Sequence, residues 1–99
     1  MNNFLWLEQW HQDMADGNWE QTYGIHIQST DTPGWHVRID LKATPYDILP
    51  NAELKRHFDN PSEWMTCRII AGTFEAHGGP LMLGPILQIF RNWIEAYTA

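Results

Sequence analysis

The strictest constraint on this chain is an alternation. In Trp35-His36-Val37-Arg38-Ile39-Asp40-Leu41 every odd position is apolar and every even one polar, the period-two signature of a strand with one buried face. Tyr23-Gly24-Ile25-His26-Ile27-Gln28 repeats it, again with its apolar side chains on odd positions. Two such strands joined as a hairpin leave little freedom. If the odd residues of both face the core, paired positions sum to an even number, and the connecting loop holds an odd number of residues. A two-residue turn is excluded, and a three- or five-residue loop built on Asp31-Thr32-Pro33-Gly34 fits. His26, Gln28, His36, Arg38 and Asp40 then share the opposite face.

The flanking segments complete a simple order. Phe4, Leu7, Trp10, His11 and Met14 recur at helical spacing and predict an amphipathic helix over about residues 2–15, stopped by Asp16-Gly17-Asn18. Pro45 and Pro50 open a loop, after which residues 53–58 read as a strand or a helical turn, the alternation of Leu54, Arg56 and Phe58 favouring the strand. Asn60-Pro61-Ser62 turns the chain into a strand over Trp64 to Ile70. Ala71-Gly72 makes a tight turn into Thr73 to His77, which Gly78-Gly79-Pro80 ends. A second helix runs from about Gly84 to Tyr97, with Pro85 where a first helical turn tolerates it. The expectation is a single domain over residues 1–99 of α+β class. It has an antiparallel sheet of four or five strands, with an N-terminal and a C-terminal helix packed on one face.

Charge is unevenly placed. The chain holds twelve Asp and Glu against six Lys and Arg, a net charge of −6. Residues 1–37 contain Glu8, Asp13, Asp16, Glu20 and Asp31 and no Lys or Arg, whereas the rest is nearly balanced. An acidic chain lacks the basic face that nucleic-acid binding requires, but it suits a basic protein partner. Cys67 is the only cysteine, so no internal disulfide or Cys-rich zinc site is possible. Met1-Asn2-Asn3-Phe4 lacks the basic start of a secretory signal, and Leu81 to Phe90 is too short to cross a bilayer. These features predict a reduced, cytoplasmic protein without a membrane partner.

Catalytic and metal motifs are sparse. His26 and His36 can be neighbours on the non-core face near Asp40, with His77 on a later strand, but no HxH, HxxxH or HExxH spacing occurs. Isolated surface histidines are the expectation, with no metal and no cofactor. Cys67 lies mid-strand in an apolar run, the habitat of a packed hydrophobe rather than a reactive thiolate. Gly78-Gly79-Pro80 precedes a helix but carries neither a phosphate-loop lysine nor GxGxxG. Trp10, Trp35 and Trp93 fall on core stripes, while Trp6 and Trp64 lie off them or at their edges.

Five segments carry a resemblance: Leu5-Trp6-Leu7-Glu8-Gln9-Trp10, Asp16-Gly17-Asn18-Trp19-Glu20, Tyr23-Gly24-Ile25-His26-Ile27, Thr30-Asp31-Thr32-Pro33-Gly34-Trp35 and Ile39-Asp40-Leu41. Taken in that order, they resemble the immunity protein 53 family of bacterial proteins encoded beside polymorphic toxins. Glu63-Trp64, Gly72-Thr73-Phe74-Glu75, Gly78-Gly79-Pro80 and a last helix with Phe90 and Trp93 continue the likeness. The resemblance implies a binding protein rather than an enzyme, one that caps the active site or an exosite of a cognate toxin. Toxins of this kind are often nucleases with basic grooves, to which an acidic cap is the complement. Asp13, Asp16, Glu20 and Asp31 are then the expected toxin-facing acids, and Trp19 or Trp35 the aromatic anchor. Trp35 also reads as core. Pro33, Gly34, Gly78 and Gly79 read as loop architecture.

Two other classes fit the same residues. One is a small hydrolase or sulfur-transfer enzyme using Cys67 or His77. The other is an adaptor unrelated to toxins, either monomeric or paired through a sheet face or edge.

Overall fold

Local signals make the first turn of the molecule. In the computed structural model, which describes residues 2–56 and 61–98, helix α1 spans Asn3–Met14 and is capped by the Asn2 side chain accepting from the Leu5 N–H at 2.9 Å. A four-residue helix, α2 (Trp19–Thr22), follows where the sequence promised only a turn. The strands are β1 (Ile25–Thr30), β2 (Gly34–Asp40), β3 (Ala52–Arg56), β4 (Met65–Ile70) and β5 (Thr73–Gly78). Pro45–Ile48 forms one 3-10 turn between β2 and β3, and α3 (Leu83–Thr98) closes the chain. The strand expected over residues 53–58 is seen as β3. Phe58 and Asn60, used to bound it, lie outside the described residues.

The hairpin obeys its parity. Ile25 pairs with Ile39, Ile27 with Val37 and Thr30 with Gly34, so the loop is the three residues Asp31-Thr32-Pro33. The β4–β5 hairpin has the opposite parity: Ile70 pairs with Thr73 across Ala71-Gly72. Both turn residues take positive φ, 52° and 76°, the left-handed pair that a two-residue hairpin needs.

All five strands form one antiparallel sheet in the order β1-β2-β5-β4-β3. After β2 the chain crosses to the far edge and returns strand by strand until β5 lies beside β2. One face carries Val37, Ile39, Phe74, Ala76, Cys67 and Ile69, all buried. Onto it pack α3, through Ile86, Leu87, Phe90 and Ile94, and α1, through Leu7 and Trp10. Aromatic rings fill the join: Phe90 meets Trp10 at 5.1 Å, Phe74 at 4.9 Å and Trp6 at 5.9 Å between centroids. Of the six tryptophans in the sequence, Trp10 and Trp19 are buried in the core and Trp6 and Trp93 pack against it.

Two details differ from the alternation alone. Ile27 takes the core-side parity yet is 40% exposed, because β1 is an edge strand and α3 lies over β4 and β5. His26 sits opposite Arg38, not His36, and His36 is opposite Gln28 on one side and His77 on the other. No helix among the described residues is long and apolar enough to cross a membrane.

Candidate partner-binding surface

The acidic candidates divide into a corner and a tip. Asp13 ends α1, and Asp16 and Glu20 bracket the turn into α2. Asp31 stands at the far end of β1, in the hairpin loop, about 20 Å away by the rise of six strand residues. The fold therefore gathers Asp13, Asp16 and Glu20 but not Asp31.

At the corner the carboxylates also hold the chain. Asp16 Oδ1 accepts from the N–H groups of Asn18 and Trp19, both at 3.0 Å. These bonds pull the Asp16 carboxyl below its ordinary range. The Glu20 carboxylate accepts from the Asp16 N–H at 3.1 Å and the Gly17 N–H at 2.9 and 3.0 Å. Asp13 accepts from the Gln9 side-chain amide at 2.9 Å. Beside the corner a groove of about 390 Å³ runs between α1 and β1, with Leu7 and Ile25 as apolar walls and Glu8, His11 and Gln12 as polar ones.

Neither aromatic candidate stands free. Trp19 has no exposed surface. Its indole packs against Trp10 at 5.6 Å and donates to the Asp40 carbonyl at 2.9 Å, so it has nothing to offer a partner as an anchor. Trp35 is half-buried and donates to the Pro80 carbonyl at 3.0 Å, tying the hairpin to the β5–α3 connection. Trp6 is half-buried with the Arg91 guanidinium over its ring at 5.7 Å. The glycines at the same junction have no room for a side chain. A Cβ at Gly34 would run into the Gly78 carbonyl, one at Gly78 into Ile86 and one at Gly79 into the backbone of Ser62. Pro33 follows a cis peptide bond from Thr32.

Among the described residues no element covers the other sheet face, which is charged in rows. Arg38, Glu75, Arg68 and Glu53 succeed one another across β2, β5, β4 and β3. Arg68 Nη2 donates to Glu75 Oε1 at 2.7 Å, and His36 Nε2 lies 3.2 Å from Glu75 Oε2. Arg68 first, and His36 second, hold the Glu75 carboxyl below its usual range. Partial burial, with His36 adding to it, lowers the neighbouring His77 imidazole. Sequence reasoning missed this grouping because its members come from strands joined only by the return of β5 to β2. The one available signal was that each lies on an even-parity or solvent-facing position of its own strand.

Cys67 faces the core, and burial pushes its thiol up to about 12, which leaves no nucleophilic thiolate near neutral pH. A buried, protonated thiol does not suit sulfur transfer.

Compared with models of known families, residues 4–95 match the model described as immunity protein 53. Searches of the curated proteins and of the solved structures return no match.

Proposed function

This chain belongs to the immunity protein 53 family, and from that premise we propose that it captures a basic, nuclease-type toxin domain on its acidic N-terminal surface. Family membership makes a protein toxin the partner. What supports the finer reading is the field of residues 1–37, with five acids and no Lys or Arg. A surface of one sign attracts a nucleic-acid-binding groove of the other and speeds encounter.

The contact surface we assign is the corner of Asp13, Asp16 and Glu20 with the adjoining α1–β1 groove, and Asp31 at its margin. An interface of ordinary size covers about 800 Å² per partner, a patch roughly 30 Å across, so one strand's length fits inside one footprint. Trp19 contributes by fixing the corner from below, not by touching the toxin. The groove's apolar walls offer a seat for the stem of a long basic side chain, with Glu8 at its rim.

Co-expression with the toxin domain encoded beside this gene tests the premise: growth is restored and a complex purifies. Failure of both overturns the immunity reading. The surface is tested separately by Asp13→Lys, whose carboxylate holds no backbone in place. Association with the toxin domain should slow by about tenfold at low salt and lose much of its salt dependence. Unchanged kinetics would remove the corner from the interface while leaving the family assignment intact.

A further inference from the structure

The uncovered sheet face carries a cluster that the acidic corner does not need. His36 on β2 and His77 on β5 are direct cross-strand partners, and their rings stack with centroids 4.5 Å apart. Glu75 lies two residues before His77 on the same strand and so projects to the same face. Donor atoms of the three side chains all lie within 4.8 Å of one another. We infer that His36, Glu75 and His77 form a binding site for a divalent transition-metal ion of the zinc class, on the open face of the sheet.

The donor set suits that class. Two imidazoles and one carboxylate are ordinary zinc ligands, and three protein ligands leave one position open to water or to a donor from outside. Donors around a four-coordinate zinc stand about 3.4 Å apart, so a small rotation of side chains already within 4.8 Å brings them into place. The backbone beneath them is firm, since β2 and β5 are interior strands paired on both sides. Arg68 completes the arrangement. It holds Glu75 Oε1 at 2.7 Å and leaves Oε2, the atom beside His36, for the ion, as an outer partner orients a ligating carboxylate. Its positive charge also opposes a cation bound beside it, which lowers the expected affinity.

Calorimetric titration of the full chain with zinc chloride, in a buffer that does not chelate, tests this directly. One equivalent should bind saturably. His77→Gln should weaken that binding by at least about tenfold, as should His36→Gln, while His26→Gln on the same face should leave it unchanged. Cobalt should give a visible absorption band with the parent chain that His77→Gln abolishes. His77 is exposed, so His77→Gln keeps the fold and decides the matter even if His36→Gln does not. Absence of saturable binding up to millimolar zinc, or binding that survives His77→Gln unchanged, overturns the site. The measurement involves no toxin and stands independently of the immunity reading.

Discussion

Asp16 and Glu20 fasten one turn from its two ends. Asp16 caps the N–H groups of Asn18 and Trp19, while Glu20 reaches back to those of Asp16 and Gly17. Asp16 satisfies donors left open at the start of the short helix, and Glu20 satisfies those of the turn that leads into it. The pair also aims Trp19 into the core beneath α1. Two of the acids that would face a toxin therefore shape the surface as well as charge it.

This cap gives the chain an acid-sensitive joint. The Asp16 carboxyl titrates below its ordinary value of 3.8 in the folded chain, through the N–H groups of Trp19 and then Asn18. The unfolded chain therefore takes up the proton first. The stabilisation is complete above the unfolded value and is lost as pH falls through the folded one. Urea midpoints measured near pH 6 and near pH 3 should drop further for the parent chain than for Asp16→Asn, and equal drops would contradict the cap.

Trp19 separates packing from contact. Trp19→Phe removes the indole bond to the Asp40 carbonyl and should cost about 1–3 kcal/mol in denaturant unfolding. Toxin association per folded molecule should stay at the parent rate. A variant that folds equally well but associates slowly would put the ring at the interface.

Burial of Cys67 predicts silence toward thiol reagents. With its thiol raised to about 12, native labelling at mildly alkaline pH should run orders of magnitude slower than in denaturant, limited by opening of the sheet. Labelling at the unfolded rate would place the thiol at the surface.

Two glycines should respond differently. At Gly34 an added methyl meets the Gly78 carbonyl across the β2–β5 end, and Gly34→Ala should cost about 1–3 kcal/mol. Gly84 lies in the first turn of α3 directly before Pro85, and the proline ring disfavours a helical backbone for a preceding residue that carries a Cβ. That opposes the gain in helix propensity, so Gly84→Ala should stay within about 0.5 kcal/mol of the parent chain. Denaturation midpoints should fall clearly for Gly34→Ala and stay near the parent value for Gly84→Ala.

Much of the frame was legible in the residues. Alternation set the faces of β2, parity set an odd loop of three or five residues for the first hairpin, which has three, and the Ala71-Gly72 pair marked the tight turn of the last. The apolar stripes placed both long helices to within a residue or two. These features are local, since a period of two or of 3.6 is a property of a few consecutive positions.

What the sequence could not determine was decided by strand order. The return of β5 to the side of β2 made β1 an edge and left Ile27 half out of the core despite its core-side parity. The same return set His36 against His77, 41 positions later in the chain, and brought Glu75 to them both. Trp19 was hidden for a related reason: its burial comes from Trp10 and the end of β2, not from its own neighbours. The chain by itself determined faces, turns, family and the location of its negative charge. Which distant residues meet was decided by tertiary packing, because pairing between strands is paid for by burial of the whole sheet face and leaves no mark on any one segment.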